Sequence, residues 1–378
     1  MENFYQILLA CGVCAPFAAA AVIVCLWPFV SARAAKGLSL VAAGVLAVAA
    51  IALWSAMGSD GAFKFATNFP LLPQFALNAV SAPLFALAGI VGFAAVWQAS
   101  IADMRGAKLY CLLLMVMLGG LAGAFASTNL IWIYAFQEYG LLPPSGAMNL
   151  WGGAGRRMAA MQMAVYLTLG ALVSLIGIIA LYAQAGAEGF GLADIDVALV
   201  ANSISADWQS YIFGLLLFGL GTLVSLFPFY SWAPRAYASA PTAFAMLHAG
   251  VLKKFGLYVL IQVAYPFLAI GAADWSLTIA VLALFNVIFI GLLTMAQRDL
   301  KMMVAYSSVA HMGICFLGLA TMSVLGVGGA VLMMFGHGIS VALMLMLSTM
   351  IINRTGQWEM SKMGGLYRKA PVLGAFFV

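Results

Sequence analysis

Residues 158–184 read MAAMQMAVYLTLGALVSLIGIIALYAQ, a stretch without a single Asp, Glu, Lys or Arg that directly follows Arg156-Arg157. As a helix it rises about 40 Å, more than the roughly 30 Å hydrocarbon core of a bilayer. Nothing in it alternates with a period of two, so it reads as a helical span and not as a porin-type strand. The rest of the chain agrees. Of 378 residues, 65% are hydrophobic and 7% are charged, with a mean hydropathy of +1.09. A soluble domain carries about 25% charged residues, so this chain lacks the polar surface to stay dissolved. It is read as an all-α polytopic membrane protein.

Working outward, apolar runs near 5–30, 38–57, 75–100, 108–127, 129–149, 158–184, 208–229, 241–266, 275–296, 303–321 and 325–351 predict eleven spans and a single membrane domain. Residues 371–378 open a twelfth, but eight residues rise only about 12 Å, so the chain is expected to be a fragment or a split-gene product. The loops after odd-numbered spans hold Arg33, Lys36, Arg105, Lys108, Arg156, Arg157, Arg235, Arg298, Lys301, Arg354, Lys362, Arg368 and Lys369, or 13 of the 16 basic residues. The opposite side holds Lys64. Basic loops stay cytoplasmic during insertion, so the N-terminus is expected to face outward. Cys11, Cys14, Cys25, Cys111 and Cys315 sit in apolar runs and read as small buried packing residues, not as a disulfide framework. No metal site and no nucleic-acid partner is expected.

An ionisable group at the bilayer centre costs about 2.5–3.5 kcal/mol on insertion scales, so each one needs a reason. Glu138 lies roughly 14 Å into span five and Lys254 roughly 20 Å into span eight. His311 is roughly 12 Å from the cytoplasmic end of span ten, and His337 roughly 18 Å from the outer end of span eleven. All four fall near the midplane, the depth a proton path parallel to the membrane needs, with water between the groups. Burial disfavours the charged form of lysine and glutamate alike, and histidine titrates near neutrality, so such groups can pass protons. His248, Ser307, Ser308 and Ser340 are expected to help hold that water.

Blander readings stand beside this one. A lone histidine inside a helix is more often a hydrogen-bonded packing group, whereas a mid-span carboxylate is rare. Lys253 and Lys254 point about 100° apart, so only one is expected to face the polar interior. The two prolines Pro228 and Pro234 break the helix at the end of span seven, and irregular backbone at membrane depth survives only where it lines a cavity or is covered by protein.

These residues fall in stretches that resemble a known family. Phe136-Gln137-Glu138-Tyr139-Gly140-Leu141-Leu142-Pro143, then FPFYSWAPRAYASAPT at 227–242, AGVLKK at 249–254, DLKMMVAYSSVAHMG at 299–313, GHGIS around His337 and Gly364-Gly365-Leu366 occur in order. Together they resemble the antiporter-like membrane subunits of respiratory complex I, the proton-translocating NADH:quinone oxidoreductase, and within them the chain M or subunit-four branch. The likeness covers about residues 75–370.

The resemblance implies antiporter-like inverted repeats of five helices, at 108–266 and at 275–378 with the second incomplete, after three N-terminal helices at 1–100. It implies a proton relay of Glu138, Lys254, His311 and His337. One departure is specific to this chain: Leu223 stands where the family has a span-seven lysine, the usual partner of the glutamate. Lys253 or His248 is the candidate substitute. The resemblance further implies other membrane-arm subunits and the bilayer as partners, in a bacterial inner membrane. NADH, FMN, iron–sulfur clusters and quinone would be handled by those partners, since no redox or nucleotide motif occurs here. The alternatives are a cation/proton antiporter subunit, a hydrogenase membrane subunit, and a non-conducting scaffold.

Overall fold

The computed structural model describes residues 2–57, 74–100 and 104–377; Lys64 lies outside the described residues. Helices fill nearly all of them: α1 (Glu2–Cys25), α2 (Ala32–Ala56), α3 (Ser81–Gln98), α4 (Ala107–Ala126), α5 (Leu130–Trp151) and α6 (Arg156–Ala185) come first. Then follow the short α7 (Leu192–Ala201), α8 (Ala206–Val224) and the short α9 (Trp232–Ser239). The last long helices are α10 (Thr242–Phe267), α11 (Ala269–Met295), α12 (Leu300–Ala320) and α13 (Val324–Thr355), and the described chain closes with α14 (Leu366–Lys369) and α15 (Pro371–Phe377). Among the described residues the only β pairing is three isolated bridges.

Nine of these helices are long and apolar enough to cross a membrane, so the chain is an integral membrane protein. Helices α5 and α8 also fall on predicted spans but are less apolar, because α5 carries Gln137, Glu138, Pro143 and Pro144 and α8 carries Asp207 and Gln209. Short polar side chains start some of the helices. Asn129 Oδ1 accepts from the N–H groups of Ile131 and Trp132 at 3.0 and 3.2 Å, and Asp299 Oδ1 accepts from Met302 N–H at 2.9 Å. Each thereby satisfies backbone donors that the helix itself leaves unpaired.

Helix α10 is the centre of the fold. Its apolar stretch is wholly buried, against 22% of that of α11, and it packs on α3, α4, α5 and α13. Helices α1–α4 form one flank, α6 and α8 another, and α11, α12 and α13 the third. Between apolar helices in lipid, close backbone approach replaces hydrophobic collapse as the source of attachment. Gly250 and Gly338 illustrate it: a Cβ on Gly338 would come within 2.6 Å of the Gly250 carbonyl oxygen.

Two sequence expectations need correction. Cys11, Cys14 and Cys25 are exposed on α1, and only Cys111 and Cys315 are buried. An apolar run cannot separate core-facing from lipid-facing positions, because both environments are apolar. Span eight is also not one regular helix. It passes through a 3₁₀ turn at Leu252–Lys254 and a π turn at Leu260–Ala264.

Candidate proton-relay site

The site is built around the break in α10. Gly250 favours a helix end because it loses more backbone freedom than any other residue, and Val251 leaves the helical region at φ −121° and ψ −61°. The 3₁₀ turn that follows places both lysines in the protein core, Lys253 1% and Lys254 0% exposed. Lys254 Nζ folds back to donate to the Ala249 carbonyl and lies 3.0 Å from Nδ1 of His337, itself buried. A broken helix thus supplies the polar contact that a buried amine requires.

His337 reaches this turn because its neighbour Gly338 packs against Gly250. Its ring centroid is 5.2 Å from that of His311 on α12. His311 Nδ1 donates to the Ser307 carbonyl at 2.7 Å, which leaves Nε2 as the acceptor. His311, His337 and Ser340 line two cavities, of about 330 and 730 Å³. Ser307 and Ser308 line the smaller, and Thr321 lines the larger, so the two extend from the histidines toward opposite ends of α12. Lys254, His337 and His311 form one contiguous polar row, and both histidines line the two cavities.

Lys253 and His248 belong to a separate cluster. Tyr237 OH is 3.2 Å from His248 Nδ1, and Lys253 Nζ lies 5.6 Å from the Tyr237 ring centroid. Neither Lys253 Nζ nor His248 Nε2 has a hydrogen-bond partner among the described residues.

Glu138 stands apart. It is half-buried on α5, with Tyr134 as its polar neighbour one turn earlier, and its Oε1 accepts no hydrogen bond. Helix α5 does touch the lysine turn, since a Cβ on Gly140 would sit 3.0 Å from Leu252 Cδ1. No ion pair results: among the described residues the side-chain ion pair within 4.0 Å is Lys362–Glu359. Neither Lys253 nor His248, the expected substitutes, lies within ion-pair distance of Glu138 among the described residues. Both face Tyr237 instead, and Leu223 is a buried apolar residue on α8.

Asn286 was missed in the sequence. Fully buried within a π turn of α11 (Phe285–Ile290), it donates from Nδ2 to the carbonyls of Ser225 and Val309 at 3.0 and 3.1 Å. Its Oδ1 accepts from Phe227 N–H at 2.7 Å, so one amide holds the open end of α8, where Ser225 has φ 71°, to α12. A lone amide eleven residues into a predicted apolar span is the signal that would have found it.

Residues 127–378 match the family described as NADH:quinone oxidoreductase/Mrp antiporter, TM. Among curated relatives, the NAD(P)H-quinone oxidoreductase chain 4 of Gloeobacter violaceus is 31% identical over 325 residues, covering 84% of this chain and 61% of the relative. The NADH-quinone oxidoreductase subunit M of Rickettsia prowazekii is 32% identical over 270 residues, covering 71% and 54%. The chain thus spans less than two thirds of the length of these relatives. A chain of respiratory complex I from Thermus thermophilus superposes with a TM-score of 0.85 at 23% identity, over 97% of this chain and 76% of that one. A chain of the Mrp complex from Dietzia sp. DQ12-45-1b does so with a TM-score of 0.83 at 20% identity, over 99% and 70%. At these identities the likeness concerns the fold.

Proposed function

Because the chain belongs to the NADH:quinone oxidoreductase/Mrp antiporter transmembrane family, we propose that it is a proton-translocating membrane-arm subunit of an NADH:quinone oxidoreductase, of the subunit M or chain 4 type. It works among other membrane-arm subunits in a bacterial inner membrane, with its N-terminus outward. The chain crosses eleven times and begins a twelfth span. Three N-terminal helices precede inverted five-helix repeats at 108–266 and 275–378, the second of them partial. NADH, FMN, iron–sulfur clusters and quinone belong to the partner subunits.

The observation that carries this reading is the buried contact of Lys254 with His337, which lies beside His311 and with it lines two cavities. In such a relay Lys254 takes up and releases a proton, His337 accepts it and His311 passes it to water. Glu138 acts on the entry side as a carboxylate whose charge biases the relay; Lys253 and His248 are auxiliary. Moving one charge through the membrane field takes about 2.3 kcal/mol per 100 mV, which quinone reduction elsewhere must supply. The test is Lys254→Ala in the intact complex, reconstituted in vesicles. Assembly and subunit composition should persist while NADH-driven proton uptake falls to background, and uptake at the wild-type rate would remove the proposal.

The likeness to the Mrp complex favours a second reading, a subunit of a cation/proton antiporter, and a hydrogenase membrane subunit belongs with it. Copurified redox subunits argue for the first reading, and sodium-dependent growth at alkaline pH for the second. Leu223 motivates a third, a non-conducting scaffold, under which neutralising Glu138 changes nothing but stability.

A further inference from the structure

Lys253 and Lys254 follow one another in the 3₁₀ turn of α10, both buried, yet their amines meet different surroundings. Lys254 faces the Ala249 carbonyl and His337. Lys253 makes no hydrogen bond among the described residues and faces the Tyr237 ring, 5.6 Å from its centroid. That ring is held in place: Tyr237 is buried, its hydroxyl meets His248, and it packs nearly perpendicular to Trp232 with centroids 6.0 Å apart. No carboxylate lies within ion-pair distance of either lysine among the described residues.

Two adjacent lysines in an apolar interior without a counter-anion repel each other too strongly to be charged together. A ring face in a desolvated site attracts a cation through its quadrupole, and offers a neutral amine no comparable gain. We propose that Lys253 and Lys254 share one proton, held in one state by Lys254 against His337 and in the other by Lys253 over Tyr237. Tyr237 is a positioning residue, oriented by His248. In the exchange one N–H bond breaks on the donor amine as one forms on the other, through an intervening water that passes one proton on as it takes one up, and the charge of the pair is unchanged. This rests on the relay reading and deepens it. Lys253 supplies a second holding site, over Tyr237, in a chain whose α8 carries Leu223.

The experiment measures NADH-driven proton uptake by the intact complex in vesicles. Lys253→Arg keeps a cation over the ring but cannot release its proton, so uptake should fall about tenfold or more. Lys253→Met removes the holding site and should do the same. Tyr237→Phe retains the ring face and should stay within about threefold of wild type, whereas Tyr237→Leu should fall well below it. The Tyr237 pair leaves both lysines in place and decides the matter if the Lys253 variants fail to assemble. Wild-type uptake in Lys253→Arg, or equal uptake in Tyr237→Phe and Tyr237→Leu, would overturn the proposal. If Lys254→Ala stops uptake while these variants do not, only the shared proton is lost. If Lys254→Ala also pumps normally, the relay reading itself has failed.

Discussion

Gly338 of α13 lies so close to Gly250 of α10 that a Cβ on it would stand 2.6 Å from the Gly250 carbonyl oxygen and 2.5 Å from Leu87 Cδ2. This contact sets His337, one residue away, against the turn that carries Lys254. Gly338→Ala must push the two helices apart or strain both. We expect it to destabilise the protein by about 1–3 kcal/mol, the usual cost of overpacking. Thermal unfolding of the detergent-solubilised complex measures this, and a melting temperature equal to the wild type's would contradict it.

Replacing His337 with Gln removes the group that receives from Lys254 while keeping side-chain volume and polarity. Proton transfer by a positioned acid or base is worth about a hundredfold or more, so NADH-driven uptake should drop at least tenfold with assembly intact. His311→Gln should slow uptake as well, since it removes one of the two histidines that line both cavities. If His311→Gln pumps like wild type, His311 is a packing residue and the row ends at His337.

Asn286 makes three hydrogen bonds that hold the broken end of α8 to α12. In Asn286→Leu the Phe227 N–H and the two carbonyls lose their buried partner, at about 1–3 kcal/mol for each group left unpaired. The segment between Val224 and Trp232 should then open to protease well before wild type does. Unchanged digestion kinetics would show that the break holds without the amide.

Among the described residues Glu138 has no cationic partner within ion-pair distance, which separates its two effects. Glu138→Gln breaks no ion pair, so thermal stability should move by less than about 1 kcal/mol. Vesicle acidification should nevertheless fall several-fold if the carboxylate's charge biases the relay. Normal acidification by this variant would support the scaffold reading instead.

Membrane residence, the approximate limits of the long helices and the identity of the mid-span charges were all legible in the order of residues. Each is a one-dimensional property: a run of about twenty apolar residues, or a lysine inside it, is visible without knowing what it touches. The motif at 299–313 likewise pointed to His311, and the prolines of 227–234 pointed to a broken span. What the order of residues did not contain was partnership. That Lys254 meets His337 depends on two glycines 88 positions apart in the chain, Gly250 and Gly338, pressing backbone to backbone. That Lys253 faces Tyr237 and not Glu138 depends on a 3₁₀ turn where an unbroken helix had been expected. Even the exposure of Cys11, Cys14 and Cys25 was hidden, since lipid and protein core impose the same apolar composition on a helix face. Hydrophobicity therefore reports which segments enter the bilayer, while only the packing of helix against helix decides which of their few polar atoms come within reach of one another.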